Sequence, residues 1–237
     1  MNYWCFISYC HVDNAAEGRE WATWLHQGLE TYRVPSDIVG KRNNRGETIP
    51  ERIFPVFRDE EELPSGDLPE NIRGALSTAR SLVVICSRRT PSSTYVAEEI
   101  RFSEQLRARE LRDGVEPRRC EPIVAIIDGD PHEPNAEASC IPPTLRYRID
   151  HEGRLTDEPS PETLWTDFRL PNTAQGWTSP TPYRAWLESD AQLSAIEVAE
   201  RVRVWRSARM VRSLQQVAAT ETLASTTRAR ESRSVIA

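Results

Sequence analysis

Residues 55–100 read PVFRDEEELPSGDLPENIRGALSTARSLVVICSRRTPSSTYVAEEI. That order of residue types predicts strand, acidic loop, helix, strand, loop and helix. The apolar run at 53–57 stops at Arg58, Asp59 and three glutamates. Pro64-Ser65-Gly66 signals a turn. Asp67 suits a helix N-cap, with Pro69 in the first turn and Glu70 in the reaching-back position of a capping box. Leu68, Ile72, Ala75, Leu76 and Ala79 recur at helical spacing and predict one buried stripe. Residues 81–86 (SLVVIC) are apolar without alternation, as a strand covered on both faces should be. Ser92, Ser93 and Thr94 offer N-caps for a further helix, on which Tyr95 and Glu99 sit four apart on one face.

The flanks extend the same alternation. Residues 3–9 predict a first strand that leaves through Cys10, His11, Val12 and Asp13. Asn14 can cap a helix, with Glu17 at capping-box spacing. Trp21, Trp24, Leu25, Gly28, Leu29 and Tyr32 mark one helical face, and an aromatic stripe of this kind reads as core. Val34-Pro35 ends that helix, and 41–51 is a polar loop. The helix carrying Glu99 is expected to run to Leu111 and stop near Asp113-Gly114. Residues 122–127 (PIVAII) predict a fourth strand, 131–161 a loop-rich region and 163–168 a fifth strand. Strands alternating with helices imply parallel pairing and right-handed crossovers. Ligands in such sheets bind beyond the carboxyl ends of the strands. Those ends carry Tyr9-Cys10-His11, Arg58-Asp59, Ser87-Arg88 and Asp128. Beyond residue 190 the chain becomes basic and helical by propensity, and from 219 it reads as a flexible tail or linker. The expected organisation is therefore a domain at 1–190, a basic helical segment at 191–218 and a tail at 219–237.

With 237 residues, the chain can hold one α/β domain with a good core plus an appendage. A formal net charge of −6 argues against general nucleic-acid binding by the whole surface. The five cysteines lack CxxC spacing and their odd number makes a poor disulfide framework, so reduced, packed thiols and a cytoplasmic protein are expected. No apolar run is long enough to span a membrane and no signal peptide opens the chain. The histidines show no metal-ligand spacing, so no metal is expected. Neither GxGxxG nor GxxxxGK[ST] occurs, which leaves a redox dinucleotide fold and a P-loop NTPase unsupported.

Phe6-Ile7-Ser8-Tyr9, then Arg58-Asp59 with Leu63-Pro64 and Gly66, then Glu99, form three ordered motifs. Together they resemble the TIR (Toll/interleukin-1 receptor) domain, in particular bacterial modules of the NADase type. The resemblance covers roughly the first two-thirds of the chain. It implies a flavodoxin-like fold, a parallel five-stranded sheet flanked by helices, here with a C-terminal helical extension. It implies that Glu99 stands at the family's catalytic glutamate, and that the loop after the second strand gates the pocket and forms TIR–TIR contacts. It further implies an NAD⁺ glycohydrolase that is activated by assembly and acts in bacterial antiphage defence, with an upstream sensor module or activating partner. NAD⁺ is then the substrate, and no separate cofactor is called for. A non-catalytic TIR signalling adaptor and a synthase of a cyclic ADP-ribose messenger are the alternatives.

The residue types suit the cleavage. Nicotinamide leaves a cationic pyridinium as a neutral molecule, so no proton need be delivered to it. The sugar passes through an oxocarbenium-like cation, as in glycoside hydrolysis. One fixed carboxylate near C1′ can stabilise that charge. Glu99 supplies the carboxylate and Tyr95 an aromatic platform on the same helical face, where the family commonly has tryptophan. Ser8 and Tyr9 are expected to line the mouth, Arg58 to meet the pyrophosphate and Asp59 to orient Arg58. Glu98 is read as a solvated carboxylate near a helix N-terminus.

Overall fold

A computed structural model describes residues 2–15, 19–42, 48–59, 68–114, 121–133, 135, 139–160 and 165–189. The expected N-cap at Asp67, most of the acidic loop, the basic helical segment and the tail lie outside them.

The strands of the main sheet are β1 (Cys5–Ser8), β2 (Val56–Arg58), β3 (Leu82–Cys86), β4 (Ile123–Ile126) and, after a hairpin, β7 (Trp165–Asp167). They lie in the order β2-β1-β3-β4-β7, and every neighbouring pair is parallel. In sequence order within the sheet this is 2-1-3-4-5, the flavodoxin-like doubly wound arrangement. The expected parallel five-stranded sheet is therefore observed.

Strand parity sorts the core into two layers. Cys5 and Ile7 of β1, Val83 and Ile85 of β3 and Ile123 and Ala125 of β4 face one layer. That layer is closed by α1 (Trp21–Glu30) through Trp21, Ala22, Leu25 and Leu29, and by Tyr183 of α5 (Pro180–Ser189). Phe6, Leu82, Val84, Val124 and Ile126 face the other, under α2 (Glu70–Thr78) and α3 (Thr94–Arg112). Ile72, Ala75 and Leu76 of α2 are buried there, as the helical stripe predicts.

Trp21 anchors the first layer. It is 2% exposed and meets Trp24, Phe168 and Tyr183 at ring-centroid distances of 5.8, 6.1 and 6.1 Å. Trp21→Ala should cost about 3–5 kcal/mol, because the aromatic neighbours cannot collapse into so large a void. Chemical denaturation of both proteins measures it.

Several local expectations change. Asn14 does not abut the helix it was expected to cap, since α1 begins at Trp21. It still caps from a distance: its side-chain oxygen accepts the Thr23 amide at 2.9 Å, an N–H of the helix's first turn. α2 begins at Glu70 with Pro69 in the cap position. Ser93 is the N-cap of α3, accepting from the Val96 amide at 3.3 Å. The segment expected to be loop-rich instead folds into the single turn α4 (Pro143–Arg146) and an antiparallel hairpin, β5 (Tyr147–Ile149) with β6 (Leu155–Pro159). Leu145 and Ile149 attach this unit to the α3 layer. The four described cysteines are free thiols, and Cys5 and Cys86 are fully buried in their strands.

Candidate active site

β1 and α3 meet at the carboxyl end of the sheet. Parity turns Ser8 toward the α3 layer, next to a helix that starts just beyond the end of β3. There the Ser8 hydroxyl donates to Glu99 Oε2 at 2.5 Å. Glu99 is 2% exposed, a rare degree of burial for a carboxyl with no cationic hydrogen-bond partner among the described residues. Burial pushes its pKa up to about 8; the Ser8 hydrogen bond pulls the other way, and the charge of Asp59 adds to the rise. In the free protein the balance at neutral pH therefore favours the protonated form of Glu99.

Asp59 follows β2 and is 7% exposed. Its carboxylate accepts from the Tyr95 hydroxyl at 3.2 Å, and its backbone carbonyl accepts from the Tyr9 hydroxyl. Burial, then Asp59, then Glu99, raise the Tyr95 pKa, so the phenol stays protonated and donating. Two hydrogen-bonded sets thus lie at this end of the sheet, Ser8 with Glu99, and Tyr9 and Tyr95 with Asp59. His11, expected with Tyr9 and Cys10 at the end of the first strand, lies against Tyr9 and Tyr95. Its ring stacks on Tyr9 at 5.1 Å and meets the edge of Tyr95 at 6.4 Å.

Arg58 is placed elsewhere. It precedes Asp59 by one residue, and parity sends it to the opposite face of the sheet. Its guanidinium donates to Thr23 Oγ1 of α1 at 2.8 Å. The Asp59 carboxylate meets Tyr95 on the α3 side. Glu98 pairs with Arg101 on the same helix, in keeping with a solvated carboxylate.

Ser8→Ala removes the hydrogen bond that favours the charged form of Glu99. The titration midpoint of Glu99 should then rise by about one unit or more. Carboxyl NMR across the pH range measures it, and an unchanged midpoint would separate the hydroxyl from the carboxylate.

Among the described residues no group of three or more His, Cys, Asp or Glu side chains could hold a metal ion. No described helix is long and apolar enough to cross a membrane. No protein-family model matches the chain, and no curated protein matches it. Among solved structures it is similar to the TIR domains of the activated Roq1 resistosome directly recognising the pathogen effector XopQ. The identity is 21%, over 55% of this chain and 60% of that one, with a TM-score of 0.34. The chain thus spans less than two-thirds of the chain it matches. The fold assignment rests on the strand order above.

Proposed function

We propose that this chain is a TIR domain that cleaves the nicotinamide–ribose bond of NAD⁺. The observation that carries the reading is Glu99: a desolvated carboxyl, oriented by Ser8, at the carboxyl end of a doubly wound sheet. Burying a carboxyl works against stability, and a residue strained in this way at a crevice is a functional-site candidate. A scaffold that only assembles has no need of it, which favours an enzyme over an adaptor. The three sequence motifs add the family likeness.

The chemistry follows from the placement. NAD⁺ binds with its ribosyl C1′ against Glu99 and its nicotinamide beside Tyr95. The pyridinium cation favours the ionised form of the neighbouring carboxyl, so substrate drives the Glu99 proton out. As the C1′–N bond breaks, its electron pair leaves with nicotinamide and positive charge develops on the ribose. The Glu99 carboxylate, in a site shielded from water, stabilises that charge more strongly than it could in solution. Water then adds to C1′ and loses a proton, giving ADP-ribose. Capture by a nucleophile of the same molecule gives a cyclised product instead. Ser8 fixes the carboxylate, and Asp59 fixes Tyr95 through its hydroxyl.

On the same reading, assembly through the loop at 58–66 activates the enzyme in the cytoplasm, under an upstream sensor or partner, for antiphage defence. The basic segment at 191–218 takes part in that assembly. The test is incubation of the protein with NAD⁺ at several protein concentrations, with products resolved by chromatography. Nicotinamide with ADP-ribose or its cyclised form supports the reading. Intact NAD⁺ at every concentration rejects it.

A further inference from the structure

A second polar group sits across the crevice between β1 and β3. β1 leaves through a 3-10 turn, His11–Asp13, and β3 runs into a second one, Thr90–Ser92. Asp13 bridges the two loops. Its carboxylate is 1% exposed and accepts from Ser87 Oγ at 2.5 Å. Its Oδ1 accepts from Arg19 and from Arg89, each at 3.1 Å. Two guanidiniums thus converge on one carboxylate, leaving one unit of positive charge at the mouth of a chain whose formal net charge is −6.

The group has donors to spare. A guanidinium carries five N–H donors. The Arg19 side chain is 28% exposed and its Nη2 meets Asp13. The Arg89 side chain is 45% exposed, so its remaining N–H groups open to solvent. Crevices at the reversal of strand order, here β1 beside β3, are where doubly wound sheets take phosphate-bearing ligands. The group is also continuous with the Glu99 cluster: His11, stacked on Tyr9, opens the same turn that ends in Asp13. The bond to be cut is one ribose away from the pyrophosphate, so a dinucleotide with its C1′ at Glu99 holds its charge one ribose from that carboxyl.

We propose that Arg19 and Arg89, held side by side by Asp13, bind the pyrophosphate of the dinucleotide substrate. This rests on the NAD⁺ reading above and moves the anion contact from Arg58 to the β1–β3 crevice. Asp13 and Ser87 are positioning residues: they set the two guanidiniums in place and touch no substrate. The alternative is a salt-bridge network that only ties two loops together.

The experiment uses the full chain, two substrates and one product. Arg89→Gln, and the double variant Arg19→Gln/Arg89→Gln, are compared with wild type on NAD⁺ and on nicotinamide riboside, which lacks the pyrophosphate. Binding of ADP-ribose is measured by calorimetry. Losing charge-assisted hydrogen bonds should raise KM for NAD⁺ about 10- to 100-fold with little change in kcat. Rates on nicotinamide riboside should stay at the wild-type level, and ADP-ribose binding should weaken by the same factor as KM rises. Arg154→Gln, on the distant β5–β6 turn, controls for general loss of positive charge. Equal losses on both substrates, or ADP-ribose binding unchanged in the double variant, would overturn the anion site. If wild type leaves NAD⁺ intact yet binds ADP-ribose through Arg89, the anion site stands and the proposed cleavage falls.

Discussion

Glu99→Gln should lower nicotinamide release from NAD⁺ by about 10²–10³-fold or more, the usual loss when one preorganised electrostatic stabiliser is removed. The amide keeps the shape of the side chain and can still accept from Ser8, so the pocket persists while the negative charge is gone. Glu98→Gln, one residue away and paired with Arg101, should retain most of the activity. Stability separates the two roles further. The Glu99 pKa rises from an ordinary 4.5 to about 8 on folding, so between those values the folded chain holds a proton that the unfolded chain has released. Stability from this group is full below about pH 4.5 and is lost as pH climbs toward 8. The limiting slope is about 1.4 kcal/mol per pH unit. Glu99→Gln lacks that slope, so the variant should be the more stable protein at pH 8 while being the inactive one. Denaturant melts at pH 5 and pH 8 measure both signs. A variant destabilised at every pH would make Glu99 a structural residue.

Activity should also depend steeply on pH. The reactive form of Glu99 is the carboxylate, and in the free protein it forms only as pH passes about 8. Because kcat/KM reports the free enzyme, it should approach a tenfold fall per unit well below that midpoint, and fall about 50-fold from pH 8 to pH 6. The profile of kcat should be shifted to lower pH, since the bound pyridinium cation stabilises the carboxylate. The separation between the two midpoints reads out the electrostatic coupling of substrate to Glu99. Coincident, flat profiles between pH 6 and 9 would mean that Glu99 does not titrate in the reaction.

The sheet was legible because its strands are apolar runs bounded by turn residues. SLVVIC and PIVAII are short, rich in β-branched residues and without alternation, as strands covered on both faces are, and the parallel order follows from the helices between them. Tyr95 and Glu99 were legible as partners because a spacing of four fixes one helical face, and the structure brings both to the Ser8 end of β1. Arg58 lies apart from Asp59 for a reason the sequence contains. Consecutive strand residues point to opposite faces, so Arg58 and Asp59 cannot serve one pocket in the same way. Asp13 and Arg89 are 76 residues apart and join only when β1 and β3 pair, so nothing local announces them. His11 belongs with them, since its ring is placed by Tyr9 and Tyr95 rather than by any motif. The β5–β6 hairpin escaped notice because β6 (LTDEP) is almost wholly solvent-facing and has no apolar alternation to read. α5 carries prolines at 180 and 182, and among its described side chains only Pro180 and Tyr183 are buried, too little periodicity to mark a helix.

The most direct measurement is single-turnover release of ring-labelled nicotinamide from NAD⁺ at pH 8, with wild type and Glu99→Gln side by side and enzyme in excess. Wild type should release one nicotinamide per NAD⁺ bound, and Glu99→Gln should leave the label in NAD⁺ over the same interval. Equal release by the two proteins, or none by wild type at any protein concentration, would contradict the assignment of Glu99 as the group that stabilises the ribosyl cation.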